Sequence, residues 1–178
     1  MDLVEELAAF DGRRTDTLAA LANRLEANAR LIDELCALAG HEDINMQSAA
    51  TWLLKRFQED GSAFTSQQVG ALLDLLARVA SWDARLHLLQ MLPAWEIDES
   101  ACEPLAQTLE RSGYLAAPNK FVRAWSYNAI AELAERSPAL REKAAALLTA
   151  AERDEAASVR ARIRAIVTAK PWVRMAGP

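Results

Sequence analysis

The sequence is poor in cysteine, histidine, glycine and proline, and each shortage excludes something. Cys36 and Cys102 are the only cysteines in 178 residues and lie far apart. That rules out a disulfide framework and a cysteine-built zinc site. His41 and His87 have no partner at metal-ligand spacing, and no HExxH pair occurs, so no metal is expected. GxxxxGK[ST], GxGxxG and GxSxG are all missing, which removes the phosphate loop and the nucleophile elbow. Carboxylates are plentiful, yet none forms a recognisable acid–base pair. No catalytic residue and no cofactor is therefore expected. No apolar run approaches the roughly 20 residues needed to span a bilayer. The opening stretch, MDLVEELAAFDGRR, is acidic where a signal peptide would be basic. A cytoplasmic protein without a membrane partner is the expectation. Sustained alternation of β-branched residues is missing too, so strands are needed nowhere.

What remains is a helical composition. Apolar residues make up 52% of the chain, enough to exclude long-range disorder, and the length suits one domain with a real core. Ala, Leu, Glu and Arg dominate, all good helix formers. The six Gly and six Pro fall mostly between segments with three-to-four-residue periodicity. The chain reads as all-α. Leu18, Leu21, Leu25, Ile32 and Leu35 form one stripe, either a single long helix or one broken near Asn28, ending at Gly40. A helix follows from about Ile44 to Phe57. Thr65 with Gln68 is a capping box that opens the next. Ser81 is an N-cap for a helix ending near Pro93. Asp98 opens one closed by Gly113, and Asn119 opens one through Arg136. Ser137-Pro138 starts another, and the last runs from about Glu155 to Lys170.

The second member of each helix pair looks alike. MQSAATWLL, WDARLHLLQ, VRAWSYNAI and VRARIRAIV begin at Met46, Trp82, Val122 and Val159, at intervals of 36, 40 and 37 residues. A period near 40 with two helices per unit marks an α-solenoid. VRARIRAI and VRAWSYNAI resemble the second helix of a HEAT repeat, in which a Val-Arg pair begins an Ala-rich amphipathic helix. The resemblance covers about four repeats, residues 15–170. The first two depart from it, with Met46-Gln47 and Trp82-Asp83 in place of Val-Arg. It implies a right-handed α-solenoid of about four helical hairpins. Residues 1–178 would form a single domain, with an irregular tail from about 171. A generic bundle of antiparallel hairpins is the competing architecture.

With the first aligned residue as position 0, positions 0, 4 and 7 cluster on one face at about 100° per residue. They hold Met46, Ala50 and Leu53; Trp82, Leu86 and Leu89; Val122, Ser126 and Ala129; and Val159, Ile163 and Ile166. This is the expected core stripe. Positions 1 and 5 read Gln47/Thr51, Asp83/His87, Arg123/Tyr127 and Arg160/Arg164, polar throughout and so expected to be exposed. Second helices line the concave surface of a HEAT-like array, so the resemblance makes this stripe a ridge inside the curve. Residues 118–178 carry 11 basic and 6 acidic side chains, against 9 and 19 in residues 1–117, so the ridge ends basic. Arg suits carboxylates and phosphates through its planar fork. Trp125 and Tyr127 add flat surfaces between the cations.

The candidate partner-binding residues are Lys120, Arg123, Trp125, Tyr127, Asn128, Arg160 and Arg164. The arginines have a second reading. In HEAT-like repeats the Arg of the Val-Arg pair often bonds an acidic group of a neighbouring repeat, and Glu152, Asp154 and Glu155 lie close to Arg160 in sequence. Arg162 stands elsewhere on its helix, as a flank contact. The leading expectation for function is a non-catalytic protein-binding or scaffold module whose partner offers an acidic segment. The alternative is a nucleic-acid enzyme resembling the HEAT-like alkylpurine DNA glycosylases. The acidic N-terminal part weighs against nucleic acid, because it repels phosphate.

Overall fold

Good caps and sparse helix breakers produce an all-helical chain, as the composition predicts. The computed structural model describes residues 2–175. These hold eleven α-helices, two short 3-10 helices and no strand. The helices are α1 (Leu3–Ala8), α2 (Thr15–Ala22), α3 (Ala29–Leu38), α4 (Ile44–Glu59), α5 (Ser66–Leu75) and α6 (Trp82–Met91). After the 3-10 turn Leu92–Ala94 come α7 (Glu99–Arg111) and α8 (Lys120–Arg136). The 3-10 turn Pro138–Leu140 leads into α9 (Arg141–Ala151), followed by α10 (Ala157–Ala169) and α11 (Trp172–Met175). Among the described residues no helix is long and apolar enough to cross a membrane.

Contacts run mostly between neighbouring helices, and the chain divides into two compact units, Met1–Met91 and Leu92–Pro178. In the first unit α4 is the central element, touched by α1, α2, α3 and α6, while α3 also packs on α5. In the second unit α8 has that role, with α7, α9 and α10 around it and α11 against α9.

Local chemistry explains most boundaries. Asn28 breaks the Leu18–Leu35 stripe by accepting from the Leu31 N–H, so the stripe is two helices. Thr65 and Gln68 form the reciprocal capping box. Gly113 ends α7 with φ +72°, a left-handed conformation that costs glycine little. One helix goes beyond the sequence reading, and two expectations need correction. Leu3–Ala8 is helical, capped by Asp2, and buries Leu3 and Leu7. Ser137-Pro138 opens a 3-10 turn before α9 rather than α9 itself. The tail is not irregular from 171: Trp172–Met175 is a helical turn with Trp172 buried, and residues 176–178 lie outside the described residues.

The largest correction concerns register. Trp82 is 49% exposed and Leu86 half-buried, although both were expected in the core. Helix starts show why. Asp43, Asn119 and Ala156 immediately precede α4, α8 and α10, and each stands three residues before Met46, Val122 or Val159. Ser81 precedes α6, and its Oγ accepts from the N–H of Ala84, three residues on. Ala84, not Trp82, is therefore the equivalent residue, and the intervals become 38, 38 and 37. A two-residue shift rotates a helix by about 200°. In the shifted register the middle set is Ala84, Leu88 and Met91, and all twelve residues at positions 0, 4 and 7 are buried. Trp82-Leu86-Leu89 misled because it is itself an apolar stripe.

Candidate functional site

Position 1 of the four equivalent helices now reads Gln47, Arg85, Arg123 and Arg160. Each side chain donates to the carbonyl six residues before it. Gln47 Nε2 reaches His41 O at 2.7 Å, and Arg85 Nε reaches Val79 O at 3.0 Å. Arg123 Nη1 reaches Ala117 O at 2.8 Å, and Arg160 Nη1 reaches Asp154 O at 2.6 Å. These bonds clasp the turn before each helix. In each unit the first such side chain also reaches the following turn. Gln47 Oε1 accepts from the N–H groups of Ala80 and Ser81, both at 3.0 Å. Arg123 presents Nε and Nη2 to the two oxygens of Asp154 at 3.2 and 3.1 Å, with Glu155 at 3.3 Å from Nη2.

Exposure of this position was expected and does not hold. Gln47, Thr51 and Arg123 are buried, because α4 packs on α6 and α8 packs on α10, whereas Arg164 on α10 is exposed. Arg123 and Asp154 form a bidentate, charge-assisted pair. Burial works against the Asp154 carboxylate, but the hydrogen bonds from Arg123 and the Ala156 N–H outweigh it and hold Asp154 below its ordinary value. The hydrogen bond to Asp154 raises Arg123 in turn. Tyr127 beside them is half-buried, and burial pushes its phenol up. Arg123 thus bonds its own turn and the turn before α10, the arrangement that the second reading of its sequence position describes.

The other sequence-predicted residues are placed differently. Lys120 and Arg164 are exposed, whereas Trp125, Asn128 and Arg160 are half-buried. Trp125 does not stand between Arg123 and Tyr127 as part of one patch. It lies on the opposite side of α8, where the Arg162 guanidinium covers its ring at 4.0 Å from the centroid. There α8 and α10 enclose an open groove of about 430 Å³. Phe121, Ala124 and Trp125 form one wall, and Ser158, Ala161, Arg162 and Ala165 the other. Phe121 is 47% exposed, and Lys120 Nζ sits 5.3 Å from its ring centroid. Ser158 Oγ is buried without a hydrogen-bond partner among the described residues. Sequence reasoning missed Phe121 and set Arg162 aside. The available signal was position: both fall away from the core positions of their helices, Phe121 one residue before Val122 and Arg162 three after Val159.

A second depression of about 360 Å³ adjoins the groove at Phe121 and is lined by Lys120, Arg123 and Glu155 among others. Its counterpart in the first unit, about 350 Å³, surrounds Gln47 between residues 40–42 and 78–80. Both depressions lie where a position 1 side chain bridges two turns.

Both thiols are free and buried. Burial, helped by Asp33, pushes Cys36 up to about 11, and burial raises Cys102 as well. Among the described residues no group of three His, Cys, Asp or Glu is placed to hold a metal ion. The groove offers aromatic and aliphatic surface under cationic heads. Comparison of the chain with protein-family models, with curated proteins and with solved structures finds no match in any of the three.

Proposed function

We propose that the chain is a non-catalytic, cytoplasmic protein-binding module, built as a right-handed α-solenoid of about four HEAT-like hairpins. The solenoid reading draws on three features that recur at intervals of 38, 38 and 37: the helix-initiating residue, the buried set at positions 0, 4 and 7, and the clasp from position 1. The binding reading rests on one observation, the groove in which exposed Phe121 and half-buried Trp125 lie beneath the heads of Lys120 and Arg162. Aromatic surface with a nearby guanidinium is the composition of interface hot spots. A partner segment that inserts an apolar side chain and carries acidic neighbours fits it. A glycosylase-type cleft needs a carboxylate beside its tryptophan, and no carboxylate lines the groove at Trp125.

The test pairs Trp125→Ala with Arg162→Glu. Each variant is assayed for thermal melting and for capture of partners from the native source. The expected result is nearly unchanged melting with loss of the proteins that wild type captures specifically. Undiminished capture by both variants would overturn the reading.

A further inference from the structure

The contact between α8 and α10 is a template for a contact that α10 leaves unmade. On α8, Arg123 spends Nη1 on its own turn and Nε and Nη2 on the carboxylate of Asp154. On α10, Arg160 spends Nη1 on Asp154 O and Glu155 O at 2.6 and 2.8 Å. Its Nε and Nη2 make no hydrogen bond among the described residues. The surfaces beside the two arginines correspond as well. Ala131 on α8 is buried, whereas its equivalent on α10, Thr168, is exposed and also small; Ala124 is buried too, and its equivalent Ala161 is exposed and also lines the groove. Arg164, also exposed, adds positive charge to that side.

We infer that the outer side of α10 is a second protein-docking surface. Its occupant is a helix of a partner protein, entered through a turn that carries an aspartate. The template sets the chemistry. Asp154 meets Arg123 with both oxygens and also accepts from the N–H of Ala156, two residues on, so it pairs with the arginine and braces the turn ahead of its own helix. A partner aspartate in such a turn completes the unspent fork of Arg160. Small residues behind it let the partner helix approach closely, and Arg164 favours an acidic partner. The occupant is a protein, as in the proposed function, but it sits on the outer side of α10 and does not need Trp125.

The chain supplies its own probe. A peptide of residues 152–170, held helical by a lactam joining positions 164 and 168, carries the aspartate-bearing turn and the helix that α8 accepts. It is titrated into the isotope-labelled full chain and followed by amide chemical shifts. The expected result is saturable shifts centred on Arg160, Arg164 and Thr168. The peptide with Asp154→Asn should bind at least about tenfold more weakly, the cost of a charge-assisted bidentate pair. Arg160→Gln in the protein should weaken binding similarly. Arg164→Glu should weaken it too, and serves if the first substitution loosens its own turn. Trp125→Ala should bind the peptide normally, which separates this surface from the groove. Absence of saturable shifts on α10, equal affinity for the aspartate and asparagine peptides, or shifts confined to α8 would each overturn the inference. Self-association of the full chain, abolished by Arg164→Glu, would overturn a heterologous partner.

Discussion

At the residue scale the most consequential side chain is Arg123. Its charge, and the acids within reach in the chain, are legible in the sequence, because Asp154 and Glu155 follow one hairpin later. Its burial is not legible, since exposure on a helix end depends on what packs beside it. Arg123 and Asp154 leave only 11% and 13% of their side chains exposed. Arg123→Met removes the guanidinium and strands the carboxylate among dipoles arranged for a pair. The expected cost is about 2–4 kcal/mol in urea unfolding, at or below the range for fully buried pairs because solvent reaches its rim. His87 supplies a second residue-scale prediction. Burial, with Lys55 nearby, lowers its pKa to about 4, and its Nδ1 shares a 3.0 Å hydrogen bond with Thr51 Oγ. The folded value lies below the unfolded value of 6.5, so between those values the unfolded chain binds more protons. This contribution is complete above about pH 6.5 and is lost as pH falls towards 4. Roughly 1–3 kcal/mol should disappear over that window, and His87→Gln should flatten it, as read from unfolding free energies across pH.

At the element scale, helix existence and caps follow directly from the sequence, whereas rotational phase does not. The capping box at Thr65 and the N-caps at Asn28 and Asn119 are visible because their chemistry is local. The phase of α6 is ambiguous because Trp82, Leu86 and Leu89 make one apolar stripe and Ala84, Leu88 and Met91 another. The structure resolves the two by burial, and the difference is measurable. Leu88→Ala removes a fully buried side chain and should cost about 2–5 kcal/mol. Trp82→Ala, at an exposed site, should cost less than about 1 kcal/mol. Equal losses from the two would return α6 to the register that places Trp82 inside. Leu89→Ala does not discriminate, because Leu89 is buried in either register.

At the scale of the whole molecule, the sequence shows a recurrence near 40 residues but not the division into two units. No glycine- or proline-rich linker marks Met91–Leu92, where the α6 helix runs into a 3-10 turn. The charge asymmetry is legible, and its meaning changes once pairs are assigned. Of the 11 basic residues in 118–178, Arg123, Arg136, Lys143 and Lys170 are engaged with carboxylates. Lys120, Arg160, Arg162 and Arg164 are the cations that bear on the two proposed surfaces. Phosphate contacts from these four would make duplex DNA affinity fall about a hundredfold between roughly 0.05 and 0.2 M salt, and the net charge of −5 would weaken it further. A protein segment anchored by Phe121 and Trp125 draws on apolar burial, which screening leaves intact. Its affinity should fall less than about tenfold over the same salt range. Measuring both in one salt titration separates the classes of partner: DNA retention that persists above about 0.5 M salt would favour the nucleic-acid reading over the protein-binding one.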